Sequence, residues 1–353
     1  MKSTLPALAA ALLASCAPVA GEPSRSASSA IGEAPITRFA FGSCNGHEQP
    51  QHIWDAIAAS NPQLFIAMVD NVYGDTGYDG SPGMETFIAA YATQAQSAPF
   101  AALRAEVPML ATWDNHDYGF NDSGGSFAHR ELSEDLFEAF WNSPQDVRSR
   151  PGVYHSVTKG PPGQRVQFIL LDTRFFRSDL VAMEEGGPLG RYTGNSDPSA
   201  TVLGDAQWQW LQAELAKPAD LRVLVSSIQV LSEAHNFEAW DNFPHERARL
   251  LDMLAARSES GLVVLSGDRH AAGLYESEWV GEEFIEFTAS SLNRPVGVGT
   301  EAANAREPDP HRITPLVGEA NFGMMEINWQ AGEMTLAIRN ENGAAVQEIV
   351  RAF

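Results

Sequence analysis

Five places along this chain put chemically able side chains just past a short apolar run. Cys44 ends "FAFGSC"; Asp70, Asn71, Tyr73 and Asp75 follow in "IAMVDNVYGD"; Asp114, Asn115, His116 and Asp117 lie in "ATWDNHDYGFND". Asp172 and Arg174 end "FILLDTR", and Asp268 and His270 end "VVLSGDRH". Singly, each has an ordinary reading: an Asp at a strand end forms turns or caps helices, a Tyr packs half-buried, and an Arg two residues from an Asp pairs with it. Jointly, thiol, carboxylate, phenol, amide and imidazole at successive strand exits suit a mixed metal site. Thiolate and imidazole favour transition metals, and carboxylate and amide oxygens favour harder cations such as calcium. Two or more metals are the natural reading.

The elements that must position these groups alternate. Strand-like runs at 37–43, 64–69 and 107–112 are interleaved with or followed by helical patterns near 50–60, 84–103 and 130–142. A second series has strands near 153–158, 166–172, 222–228 and 261–266, with helices near 205–216 and 244–257. The fold class is therefore α/β, in which ligands sit beyond the carboxyl ends of the strands. The segment 173–204, rich in Gly, Pro and Asp, reads as a long surface loop. From about 270 the pattern is β only, with "EFIEFTAS", "FGMMEINWQ", "EMTLAIRNENG" and "AVQEIVRAF" as antiparallel strands and "ENG" as a tight turn.

The 353 residues, 44% hydrophobic, suffice for one large domain. A formal charge of −22 argues against electrostatic capture of nucleic acid or anionic lipid by the surface as a whole, so no nucleic-acid partner is expected. The N-terminus has one early lysine and an apolar run from Leu5 to Leu13, the layout of an export signal. Its end, Leu13-Ala14-Ser15-Cys16, is similar to a bacterial lipoprotein signal: 1–15 would be removed, Cys16 lipidated, 16–35 would form a flexible tether and 36–353 the folded domain. The chain is then expected on the periplasmic side, lipid-anchored or secreted, as a monomer touching the membrane only through its lipid. Cys44 is left as the only free cysteine of an exported protein, and a lone thiol there needs burial or a ligand role.

The order Cys44, Asp70-x-x-Tyr73, Trp113-Asp114-Asn115-His116-Asp117, Asp172-Thr173-Arg174 and Gly267-Asp268-Arg269-His270 resembles the alkaline phosphatase D family of calcineurin-like metallophosphoesterases. The similarity continues through Trp240 to Pro244, Glu246-Arg247 and "NFGMMEI". It implies a two-sheet β-sandwich flanked by helices, with Fe(III) and Ca(II) in a polynuclear site and another divalent metal as an alternative in the second position. Cys44, Asp70, Tyr73 and His270 would hold iron; Asp70 would bridge; Asn115 and Asp268 would hold the second metal, with Asp114 as a further candidate. His116 would stand beside the scissile phosphate, and Arg174 would reach the substrate phosphate. Val69 departs from a usual Gly, and Asn115 from an expected Asp, which removes one negative charge.

The implied activity is metal-dependent hydrolysis of phosphate mono- or diesters, small molecules or phospholipid-like diesters, by a metal-bound hydroxide. Cations lower the pKa of bound water and neutralise phosphoryl oxygens. His116 would serve the leaving oxygen or, on the blander reading, orient Asp70 or Asn115. Asp75, Asp117, Asn121 and Asp122 read as orienting or turn residues. Trp208 and Trp210 read as packing, and Trp240, His235, Asn236, Arg294 and His311 fall in loops that could shape substrate access, which the sequence does not decide. Three readings compete with the first: a surface lipoprotein that binds metal without turnover, a phosphodiesterase acting on diesters only, and a thiol enzyme with Cys44 as nucleophile. Mass spectrometry of the mature protein should find a lipidated Cys16 at the N-terminus; an unmodified start beyond it would overturn the anchor.

Overall fold

Alternation of side chains along each strand decides how the layers stack. The computed structural model describes residues 34–187, 189–257 and 261–353. Its strands are β1 (Arg38–Ser43), β2 (Phe65–Val69), β3 (Met109–Ala111), β4 (His155–Lys159), β5 (Val166–Leu170), β6 (Val181–Ala182) and β7 (Tyr192–Thr193). There follow β8 (Leu221–Val225), β9 (Gly261–Ser266), β10 (Gly273–Trp279), β11 (Glu282–Thr288), β12 (Asn321–Asn328), β13 (Glu333–Asn340) and β14 (Ala345–Ala352). The helices are α1 (Ile53–Ala59), α2 (Glu85–Gln96), α3 (Ala98–Glu106), α4 (Asn115–Tyr118), α5 (Arg130–Trp141), α6 (Gln145–Arg148), α7 (Gly204–Leu215), α8 (Pro244–Ala255) and α9 (Thr300–Arg306).

Two six-stranded sheets form, in the orders β14-β13-β12-β1-β2-β3 and β10-β11-β9-β8-β5-β4. In the first, β1, β2 and β3 run parallel and β12 to β14 are antiparallel additions. In the second, β5, β8, β9 and β11 run parallel with antiparallel β4 and β10 at the edges. Phe39 and Phe41 face the other sheet and meet Phe168 and Phe287 edge-on, with ring centroids 5.2 and 4.8 Å apart. Ala40, between them, faces the helices, where Ile53, Trp54, Phe87, Tyr91 and Phe137 cover the outer side of the first sheet. Ile169, Leu224 and Val264 of the second sheet meet Trp208, Leu211, Leu250 and Leu254 of α7 and α8. The period of two thus builds helix, sheet, sheet, helix.

The expected α/β sandwich is present. Four local expectations change. The helix read over 84–103 is two helices, because Ser97 leaves helical geometry and Pro99 opens α3. The 173–204 loop contains the small β6–β7 hairpin. The C-terminal part also holds β10 and α9, and β11 pairs parallel with β9 while pairing antiparallel with β10. The leader, Cys16 and the tether as far as 33 lie outside the described residues. Among the described residues no helix is long and apolar enough to cross a membrane.

Gly323 sits opposite Phe41 in the β1–β12 ladder, and a Cβ there would overlap the Phe41 ring, which is itself wedged between sheets. Gly323→Ala should therefore lower the unfolding free energy by about 1–3 kcal/mol, read as a lower denaturant midpoint at constant slope. An unchanged midpoint would show that Phe41 is free to move.

Candidate metal centre

Cys44 and Asp70 are the first residues after β1 and β2, Asp114 follows β3 by three, and Asp268 and His270 follow β9 of the other sheet. Parallel pairing brings these exits to one edge. Hydrogen bonds fasten the two sheets there: Ser43 Oγ donates to the Ala289 carbonyl (2.9 Å), Thr112 Oγ1 to Leu171 (2.7 Å) and Ser227 Oγ to Trp113 (2.6 Å). Cys44, Asp70, Asp268 and His270 all have left-handed backbone, with φ of 57°, 48°, 66° and 54°. Each costs roughly 1–3 kcal/mol in a residue with a side chain. Main-chain bonds from Cys44 N–H to Val69 (2.9 Å) and Asn45 N–H to Asp70 (2.8 Å), with His270 N–H to Ser290 Oγ (2.8 Å), hold the bends.

Two donor groups result. Cys44, Asp70 and His270 bring one ligand atom each to within 4.8 Å of one another, and Asp70, Asp114 and Asp268 do the same. Asp70 belongs to both. Cys44 Sγ lies 3.7 Å from Asp70 Oδ2 and 3.1 Å from Ser290 Oγ, and Tyr73 Oη is 3.4 Å from His270 Nε2. Asp114 Oδ2 and Asn115 Oδ1 are buried oxygens without a hydrogen-bond partner among the described residues. Such oxygens are costly unless a cation or solvent takes them.

Burial first, and then Asp70 and Asp268, push the Cys44 thiol well above its ordinary range. Burial, then Asp268 and Asp117, raises Asp70 in the same direction. Burial also raises Asp114, against the pull of Arg174. Burial and mutual repulsion thus oppose ionisation of these three groups together. These donors fit metal cations: a thiol, imidazole and phenol would hold one on one side of Asp70, and carboxylate and amide oxygens would suit a harder ion on the other.

The surroundings orient the donors. Asp75 Oδ2 sits 2.8 Å from His116 Nδ1, while His116 N–H donates to Asp70 Oδ1 (3.2 Å). The His116 ring lies over Tyr73, centroids 4.2 Å apart. Asp117 accepts from the main-chain N–H groups of Asn71 (3.1 Å), Val72 (3.2 Å) and Asp114 (3.1 Å), which clamps the second and third exits together. Asp172 accepts from Trp113 Nε1 (2.8 Å) and from the Arg174 and Phe175 amides (both 2.9 Å), a structural role.

Arg174 requires a correction. Its side chain has no exposed surface, lies 2.5 Å from Asp114 and 2.6 Å from Glu238, and donates to the Ser123 carbonyl at 3.3 Å. A guanidinium spent this way has no free edge for a phosphate; it balances Asp114 instead. Glu238, which also pairs with Arg177 at 2.8 Å, was not anticipated from sequence, and neither was Ser290. Neither residue type carries a signal without its neighbours in space.

A model of the PhoD-like phosphatase family matches residues 39–342. The chain belongs to the PhoD-like phosphatase family. It is 24% identical to alkaline phosphatase D of Bacillus subtilis (strain 168) over 363 residues, covering 88% of this chain and 61% of that protein. The chain thus spans about three fifths of the curated relative's length. A solved PhoD structure superposes with a TM-score of 0.70 at 18% identity, covering 91% of this chain and 69% of the other. A purple acid phosphatase from yellow lupin (Lupinus luteus) seeds gives 0.57 at 11% identity, covering 90% and 54%. A dimetal phosphatase from Danio rerio gives 0.51 at 15% identity, covering 90% and 99%. The two-sheet α/β sandwich is the shared fold.

Cys44→Ser should lose transition metal by elemental analysis while the chelator-treated variant stays folded; wild-type metal content in that variant would remove Cys44 from the donor set. Because Cys44, Asp70 and Asp114 must shed protons that burial and mutual repulsion hold on them, metal affinity should strengthen as pH rises above the ordinary carboxylate range. Affinity that does not change with pH would show that these acids are not ligands.

Proposed function

We propose that the chain is a metal-dependent phosphoric ester hydrolase acting on phosphate monoesters, diesters or both. The observation that carries this is the shared Asp70 between a thiol-imidazole group and a carboxylate group, with His116 braced beside them. Fe(III) at Cys44, Asp70, Tyr73 and His270, and Ca(II) or another divalent ion at Asp70, Asp114, Asn115 and Asp268, would supply an acidified water and neutralise the phosphoryl oxygens.

The chain's own residues do the rest. Asp75 on Nδ1 and the Tyr73 ring face fix the His116 imidazole, leaving Nε2 as the nitrogen that meets a leaving oxygen. The His116 main-chain N–H holds Asp70 Oδ1, so one residue positions both the carboxylate common to the two donor groups and the imidazole that would serve the leaving oxygen. Small phosphate esters or phospholipid-like diesters are the proposed substrates. An exported, lipid-anchored protein is the proposed location, supported by the leader and Cys16.

After metal reconstitution, a nitrophenyl monoester and its bis-ester should be compared. Turnover of at least one is expected, with a charge-transfer colour from thiolate or phenolate on Fe(III). A metal-loaded protein that hydrolyses neither is a binding protein, and a colourless zinc protein overturns the iron assignment. His116→Ala should lower kcat by roughly 100- to 10,000-fold with metal content retained; full activity would take His116 out of the reaction.

A further inference from the structure

With Arg174 buried against carboxylates, the site described above lacks the guanidinium that an anionic substrate would meet. Arg269 is also committed, to Glu307, and Arg177 to Glu238. Arg294 differs. It is exposed, its guanidinium carbon stands 3.9 Å from the centre of the Tyr73 ring, and the described residues offer that guanidinium no hydrogen bond or ion pair. Its charge is felt at Tyr73, His270 and His47.

The loop carrying it is fastened to the donors at almost every residue. Leu292 N–H donates to the Ser43 carbonyl (2.8 Å), and Ser291 Oγ donates to the Cys44 carbonyl (2.9 Å) while accepting from Arg294 N–H (2.6 Å). Asn293 brackets Gly46, accepting its N–H (2.6 Å) and donating to its carbonyl (3.0 Å). The Arg294 carbonyl accepts from His270 Nδ1, and Val296 N–H donates to the His270 carbonyl (2.8 Å). Gly46 leaves room for the arginine stem: a Cβ there would come within 2.9 Å of Arg294 Cδ. A charged side chain whose main chain is pinned on both sides, and whose head alone is free, is placed rather than incidental.

We propose that Arg294 binds the substrate's phosphate, its planar fork taking two non-bridging oxygens while its flat face rests on Tyr73. This rests on the phosphoester hydrolase reading. Guanidinium pairs phosphate oxygens in two parallel hydrogen bonds, and the aromatic face orients the fork without consuming its donors. A monoester carries one more negative charge than a diester, so it depends more on this contact. Arg294 therefore also biases the enzyme toward monoesters.

Arg294→Ala and Arg294→Lys should be compared with wild type in metal content, visible spectrum, inorganic phosphate affinity by calorimetry, and KM and kcat for the monoester and bis-ester. Arg294→Ala should keep its metal and colour, weaken inorganic phosphate roughly 10- to 100-fold and raise monoester KM by a similar factor, with a smaller rise for the bis-ester. Arg294→Lys, which keeps the charge but not the fork, should fall between. Wild-type phosphate affinity in Arg294→Ala overturns the inference while ester turnover by the unmodified protein leaves the hydrolase reading intact. Loss of metal or colour in Arg294→Ala also overturns it, since the residue would then act by supporting His270. Failure of the metal-loaded wild type to hydrolyse either ester defeats the hydrolase reading separately.

Discussion

Mutual repulsion among buried acids at one sheet edge is the constraint around which the rest of the protein is arranged. Cys44, Asp70 and Asp114 are each fully buried, and Asp70 lies within reach of both other acids and of Asp268. In a medium of low polarity such groups stay ionised together only around positive charge. Arg174 supplies part of that charge from beneath, through Asp114. The remainder is what bound metal would provide, so the same cluster that is costly to fold without a cation is a reason to bind one.

Holding the cluster requires the backbone to depart from its comfortable shapes at Cys44, Asp70, Asp268 and His270. The scaffold that enforces this is rigid for reasons unrelated to chemistry: Phe39, Phe41, Phe168 and Phe287 interlock between the sheets, and Ser43, Thr112 and Ser227 fasten their ends. The loop at 290–294 adds a lateral brace. Ser290 supports Cys44 and the His270 amide, and Ser291 and Asn293 hold the turn after Cys44, so one short segment serves both ends of the thiol-imidazole side. Packing energy is thereby converted into positional accuracy at the site.

Most of the sandwich was legible because period-two runs such as "RFAFGS" and all-apolar runs such as "FIAMV" differ plainly from helical spacing, and because polar residues gather where parallel strands end. Elements lacking a strong period were missed: β10, where Glu276 and Glu278 break the apolar face that Leu274 begins toward the other sheet, and α9, a short helix of alanines and polar residues. The break between α2 and α3 was available in principle from Pro99. Among the residues singled out, Cys44, Asp70 and His270, and Asp70, Asp114 and Asp268, come within reach of one another, with Tyr73 on His270 and His116 on Asp70.

By itself, the sequence determined the alternation that makes two sheets, the chemical types available at their edge, and the membership in a family. Only the tertiary structure decided which arginine is spent and which is free. Arg174 sits four residues past β5 and Arg294 in a loop with no motif, and local sequence pointed to Arg174 as the one to meet substrate. The difference is burial and partners: Arg174 is enclosed with Asp114 and Glu238, residues 60 and 64 positions away in the chain, whereas Arg294 is lifted clear on the face of Tyr73. Local sequence sets what a side chain is able to do, and the charges that folding brings beside it set what it has left to do it with.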